Sequence, residues 1–146
     1  GLTHLAAQGA QPNDWVLVHD AARCLVTPAQ ITQLINGCIE DDVGGLLACK
    51  LPDTLKTERH GRVASTLDRS DKWLAQTPQM FRLGLLQRAL ARAGAQVTDE
   101  SSAIEALGLA PLLVPGSAQN FKLTYAQDFA LAQAVLQGRR TDRSKP

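Results

Sequence analysis

Trp15-Val16-Leu17-Val18-His19-Asp20-Ala21-Ala22-Arg23 is an apolar run that ends abruptly in an acid, two small residues and a base. Four consecutive large apolar side chains bounded by polar ones fit a strand buried on both faces, the kind that parallel sheets contain. Asp20 and Arg23 then fall at its carboxyl end, the edge of an open α/β sheet where ligands bind. A carboxylate and a guanidinium at that edge suit a polyol, a phosphate or a metal. The spacing is also met by an aspartate cap followed by a surface arginine.

Outward from this run, helices and strands alternate. Leu2, Leu5 and Ala6 read as the end of a helix that the chain enters in mid-pattern. Thr27-Pro28-Ala29-Gln30 combines a capping threonine, proline at the first helical position and glutamine three residues after the cap. Ile31, Leu34, Ile35 and Cys38 follow at helical spacing. Gly44-Gly45 precedes a second buried strand, Leu46-Leu47-Ala48-Cys49, with Lys50 at its end. Residues 53–68 read as a hairpin: Thr54-Leu55-Lys56-Thr57, a polar turn through Arg59-His60-Gly61-Arg62, and a return along Val63-Ala64-Ser65-Thr66-Leu67. Its arms are too short and polar to bury a core of their own, so the hairpin needs a partner surface.

Beyond Gln76-Thr77-Pro78-Gln79, a stretch also readable as a rigid turn, a helix carries Leu83, Leu86, Ala89 and Leu90 and stops at Gly94. Thr98 is expected to cap a helix through Leu107, and Leu112-Leu113-Val114 to form a third strand. Thr124 with Gln127 repeats the capping pattern before a helix bearing Phe129, Ala132 and Leu136. The predicted architecture is an α/β layered domain over residues 1–137, with a mostly parallel sheet and an inserted β-hairpin arm at 53–69. Residues 138–146 are expected to be a polar, frayed tail.

The chain has 146 residues, 45% of them hydrophobic, enough for one ordinary core. Fifteen basic residues against 14 acidic ones leave a net charge of +1, which gives no broad footprint for nucleic acid or an anionic membrane. Any phosphate site must therefore be local. No apolar run approaches the roughly 20 residues that span a bilayer, and the expectation is a cytoplasmic protein. Cys24, Cys38 and Cys49 lack metal-ligand spacing and read as reduced, small packing residues. None of the 11 glycines falls in either familiar phosphate-loop pattern, so a nucleotide phosphate loop is expected to lie outside these residues.

Six stretches carry a resemblance: His19-Asp20-Ala21-Ala22-Arg23, Asp53-Thr54 with Lys56, Leu67-Asp68-Arg69, Gln76-Thr77-Pro78-Gln79 with Phe81, Thr98-Asp99-Glu100, and Asn120-Phe121-Lys122-Leu123-Thr124. In this order the chain resembles about the carboxyl-terminal two thirds of the 2-C-methyl-D-erythritol 4-phosphate cytidylyltransferase family, without its glycine-rich, CTP-binding amino-terminal segment. The resemblance implies a Rossmann-like nucleotidyltransferase fold and cytidylyl transfer from CTP to methylerythritol phosphate in the non-mevalonate isoprenoid pathway. It further implies Mg²⁺ as cofactor and a homodimer joined through the arm. On these residues alone, the isolated chain is expected to be inactive without the CTP-binding segment.

By the same resemblance Lys122 reaches the reacting phosphate, and Arg69 and Thr54 hold the sugar phosphate from the neighbouring subunit's arm. Asp20 accepts hydrogen bonds from substrate hydroxyls and is the one candidate to approach a metal. Arg23 positions Asp20 or a phosphate, and Thr77 lines the pocket. Cys24 stands where the family commonly has proline, and Gln119 where some members carry an acid. Asp99 and Glu100 are equally readable as a helix start, and His19 as a packed strand residue rather than a base. His4 and His60 have no evident partners, and Arg139, Arg140, Arg143 and Lys145 read as a solvated basic tail. Two other functions fit: a cytidylyltransferase for another polyol phosphate such as ribitol 5-phosphate, or a non-catalytic dimerising fragment.

Overall fold

The computed structural model describes residues 1–94 and 97–143, with the side chains of residues 142 and 143 left aside. In chain order its elements are α1 (Leu2–Ala7), β1 (Trp15–Val18), α2 (Pro28–Cys38), β2 (Gly44–Lys50), β3 (Leu55–Arg59), β4 (Arg62–Leu67), β5 (Trp73–Arg82), α3 (Leu83–Ala93), α4 (Glu100–Glu105), β6 (Leu112–Pro115) and α5 (Asp128–Arg143). Four strands form one sheet in the order β1-β5-β2-β6, and β3 and β4 form a separate hairpin.

β5 pairs antiparallel with both β1 and β2, while β2 pairs parallel with β6. Three strands thus run one way and β5 runs against them. The mostly parallel sheet expected from the sequence is present in strand direction, with a reversed strand inserted that the sequence reading did not contain. Pro78 hid it. The register jumps from Leu46↔Gln79 to Ala48↔Ala75, so residues 76–78 bulge opposite Leu47, and the proline's missing N–H falls where the ladder is already interrupted.

Helices cover both faces of the sheet. Val16, Phe81, Leu83, Leu86, Ala89, Ala103 and Ile104 form one core, under α3 and α4. Leu34, Cys38, Leu47, Met80 and Val114 form the other, under α2. Met80 and Phe81 enter opposite cores because successive strand residues face opposite sides. β1 departs from its reading as a strand buried on both faces: at the sheet edge only Val16 is buried, and Leu17 is 39% exposed.

Local signals explain several helix ends. Thr27 accepts from the Gln30 N–H, and the Gln30 side chain accepts from the Thr27 N–H, with Pro28 at the first position. Gly94 ends α3 at φ 62°. Two capping expectations are corrected. α4 is capped by Asp99, whose box partner is Ser102, so Thr98 lies one residue outside. At α5 it is the Asp128 carboxylate that accepts from the N–H groups of Thr124 and Tyr125, both at 2.8 Å. The expected frayed tail is helical as far as Arg143, and Arg139 is anchored on the Leu25 carbonyl at 2.7 Å. Residues 144–146, and with them Lys145, lie outside the described residues.

β2 begins two residues earlier than expected, at Gly44, because both glycines are squeezed into the sheet. A Cβ on Gly44, which sits at φ +101°, would fall 2.2 Å from the Met80 carbonyl oxygen. Gly44→Ala is therefore expected to destabilise the fold by about 2 kcal/mol or more, read as a lower urea midpoint at unchanged slope. An unchanged midpoint would show that β2 and β5 separate at that rung without cost.

Asp99 gives a second stability prediction. Burial opposes its charge, yet the Gln79 amide, the Ser102 N–H and the Ser101 and Ser102 hydroxyls together hold its carboxyl below the ordinary range. A depressed folded-state pKa stabilises above the unfolded value and loses that contribution as pH falls through the folded one. Asp99→Ala should cost about 1 kcal/mol at neutral pH. The difference from wild type, measured by urea unfolding, should shrink in acid below about pH 4.

Candidate active site

β1, β2 and β6 run in one direction, so their carboxyl ends share one edge of the sheet. β5, running the other way, begins at that edge. Four segments therefore converge: the loop after β1 with Asp20 and Arg23, the end of β2 with Cys49 and Lys50, the start of β5 with Ala75, Gln76 and Thr77, and the loop after β6 with Asn120 and Lys122. Such an edge is where open α/β sheets place ligands.

Lys122 Nζ lies 3.0 Å from Asp20 Oδ2, with the two side chains 51% and 40% exposed. A pair so open to water adds little stability, and what it sets is direction: the ammonium is tethered at the rim. Arg23 is more deeply set. Its Nη1 donates to the Asn120 carbonyl at 2.8 Å and its Nη2 to the Ala75 carbonyl at 3.2 Å, while Nε stands 4.0 Å from Asp20 Oδ2. Burial lowers its pKa, against the opposing pull of Asp20 and Cys49. Burial likewise raises the Cys49 thiol, and nearby Arg23 acts the other way.

The loops are tied to the strands by buried polar groups. Asn120 is fully buried, and its Nδ2 donates to the Thr77 carbonyl at 2.9 Å. Gln76 Nε2 donates to the Ser117 carbonyl at 2.9 Å, and the Leu123 N–H to the Ala22 carbonyl at 2.9 Å. Lys122 is thus presented by the loop after β6, and Asn120 sets where that loop sits. Nothing in the sequence assigns Asn120 a role. An asparagine two residues before a lysine carries no periodic signal, and its burial becomes visible only once β5 lies beneath it.

A cavity of about 600 Å³ opens here, lined by residues that include Arg23, Cys49, Lys50, Gln76, Phe121 and Lys122. The structure brings together Asp20, Arg23 and Lys122 of the expected site, whereas Thr77, expected to line the pocket, is buried, lies outside the lining and instead accepts from the Asp20 N–H at 3.0 Å. Thr54 and Arg69 are exposed on and beside the hairpin. Among the described residues no hydrogen bond or ion pair joins either to that cluster, and Arg69 Nη1 instead reaches the Leu51 carbonyl at 3.4 Å. A neighbouring cavity holds Arg69 and Ser70, and Lys50 and Pro52 line both. His19 is exposed just past β1 rather than packed in it, with both ring nitrogens bonded. Cys38 packs in the core as expected, whereas Cys24 is exposed. Gln119 accepts from Arg139 Nη2 at 3.2 Å.

A layered α/β sheet with helices on both faces, and a basic cavity at the carboxyl ends of its parallel strands, has the fold of a nucleotidyltransferase. The chain belongs to the 2-C-methyl-D-erythritol 4-phosphate cytidylyltransferase family, IspD, whose model matches residues 2–138. It is 69% identical over its whole length to 35% of the bifunctional enzyme IspD/IspF of Albidiferax ferrireducens. It is 56% identical, over 92% of this chain and 61% of the relative, to the 2-C-methyl-D-erythritol 4-phosphate cytidylyltransferase of Chromobacterium violaceum. The crystal structure of a 4-diphosphocytidyl-2C-methyl-D-erythritol synthase superposes with TM-score 0.87 at 46% identity, covering 93% of this chain and 63% of that one. The chain spans about three fifths of the length of its single-function curated relatives.

Proposed function

We propose that the protein transfers the cytidylyl group of CTP to 2-C-methyl-D-erythritol 4-phosphate, yielding 4-diphosphocytidyl-2-C-methyl-D-erythritol and pyrophosphate. The observation that carries this reading is Lys122 held 3.0 Å from Asp20 on the rim of a cavity shared with Arg23, in a chain of this family. A phosphate oxygen of the sugar phosphate attacks the α-phosphorus of CTP. The new P–O bond forms as the bond from the α-phosphorus to the α,β-bridging oxygen breaks, and that oxygen leaves as part of pyrophosphate. The attacking phosphate is already ionised near neutral pH, so the site needs fixed positive charge more than a base. Lys122 supplies it at the rim and Arg23 from within, while the second oxygen of Asp20 is left to accept from a sugar hydroxyl.

Mg²⁺ fits this site in one manner. Among the described residues no three His, Cys, Asp or Glu side chains gather into a metal cage, and the carboxylate available is Asp20, paired at 3.0 Å with Lys122 of the cavity lining. Magnesium commonly takes one or two carboxylates and completes its shell with substrate phosphates and water. Asp20 would hold a cation that arrives on the triphosphate, where it would offset charge on the phosphate oxygens.

The proposed assembly is a homodimer in which Thr54 and Arg69 of one arm serve the neighbouring site. The arm supports this by lacking a core, with Val63 67% and Leu67 42% exposed. Three free thiols fit a reducing, cytoplasmic setting. The test is pyrophosphate release by the full-length protein, offered CTP with methylerythritol phosphate or with ribitol 5-phosphate. A higher kcat/KM for methylerythritol phosphate is expected. Turnover of ribitol 5-phosphate alone overturns the substrate assignment, and turnover of neither overturns the catalytic one.

A further inference from the structure

His19 has no part in the chemistry above, yet its ring spans the loop that carries Asp20 and Arg23. Nε2 stands 3.2 Å from the Arg23 carbonyl oxygen and Nδ1 stands 3.0 Å from Thr77 Oγ1. A carbonyl oxygen only accepts, so the hydrogen sits on Nε2 and is donated to Arg23. In the neutral ring Nδ1 then offers a lone pair, and the Thr77 contact has a single polarity: the hydroxyl donates to Nδ1. With that hydrogen committed, Thr77 Oγ1 is an acceptor towards everything else, and it receives the Asp20 N–H at 3.0 Å.

The bonds therefore form a directed chain from the Asp20 N–H to the Thr77 hydroxyl, into His19 Nδ1, and out from Nε2–H to the Arg23 carbonyl. The Arg23 N–H donates back to the Asp20 carbonyl at 2.9 Å, which closes the circuit. Reversing the tautomer breaks one link and turns another: Nε2 would face the Arg23 carbonyl lone pair to lone pair, and Nδ1–H would donate to the Thr77 hydroxyl, whose own hydrogen would then leave the circuit.

We propose that His19, as its neutral Nε2–H tautomer, is a positioning residue for the transfer. It fixes the backbone of residues 20–23 so that the Asp20 carboxylate meets Lys122 and the Arg23 guanidinium stays seated on the Asn120 and Ala75 carbonyls.

The experiment has two arms, and only the kinetic arm rests on the proposed function. In full-length protein labelled with ¹⁵N-histidine, the His19 ring is identified by the signal lost in His19→Leu. At alkaline pH it should show a pyrrole-like Nε2 and a pyridine-like Nδ1. The opposite tautomer, or a mixture, overturns the proposal. In the kinetic arm His19→Leu should lower kcat by roughly ten- to a hundredfold, the scale of an ångström of misplacement, with KM for CTP little changed. His19→Asn, which keeps an acceptor near Nδ1, should recover most of that loss. Thr77→Val should cost about as much as His19→Leu, and the double variant no more than the worse single one. Fully additive losses, or no rescue by asparagine, overturn the proposal. If wild type turns over neither substrate, the functional reading fails and the tautomer alone decides for or against His19. If His19→Leu does not fold, the signal is identified in His19→Asn, and Thr77→Val with the tautomer decides.

Discussion

Lys122→Ala is expected to lower kcat by roughly two to four orders of magnitude, the usual cost of removing a group that stabilises transition-state charge. The size of the loss follows from where the lysine stands. Its ammonium lies at the cavity rim on Asp20, while Arg23 is spent on two backbone carbonyls and is less able to move outward to replace it. The fold should be untouched, because the pair is half exposed and contributes little to stability. The measurement is steady-state kinetics with a urea curve on the same preparation. A loss below tenfold with an intact fold would demote Lys122 to a bystander and move the reacting phosphate elsewhere in the cavity.

The second large effect concerns sharing of the site between subunits. Arg69→Ala and Lys122→Ala dimers should each be nearly inactive. When the two variants are co-expressed and pair at random, about half the dimers are mixed. In the proposed assembly each mixed dimer has one site with both groups intact and one with both removed, so activity should return to about a quarter of wild type. If Arg69 serves its own chain, every site in every dimer carries one lesion and nothing returns. Lys50 and Pro52 line both the Lys122 cavity and the Arg69 cavity within one chain, which makes the experiment a real choice. Activity no higher than that of the parent variants would refute sharing and leave the family membership standing.

What the sequence disclosed and what it withheld divide along the distance over which each signal acts. The Thr27 cap, the Gly94 stop and the hairpin turn are decided within four residues. At that turn His60 and Gly61 take positive φ values of 52° and 74°, as a tight two-residue reversal requires. All three were legible. β5 was not, since a proline in its middle argues against a strand until the bulge opposite Leu47 is known. The edge position of β1 was equally hidden, because four apolar residues look alike whether one face or both are covered.

The site follows the same division. Asp20 and Arg23 could be placed at a strand end from the opening run, but their meeting with Lys122 depends on three strands that share a direction. That Arg139 anchors the Leu25 carbonyl, instead of trailing in solvent, depends on α5 packing back across the loop after β1. Charge reads as solvated in a sequence unless something marks its partner, and a backbone carbonyl leaves no such mark.

The hairpin departs from the sheet and returns to it through one rung. Lys50 and Trp73 are register partners, and the Leu51 N–H donates to the Lys72 carbonyl at 3.2 Å just beyond them. Everything between is, for the sheet, a single loop with adjoining ends. Doubling the length of such a loop costs only about 0.6 kcal/mol of closure entropy. Descent with modification therefore has a free hand there: arms can lengthen, shorten or be exchanged between relatives while the strands keep their register. If the arm reaches a neighbour's substrate, partner choice and substrate choice are inherited together in one exchangeable cassette.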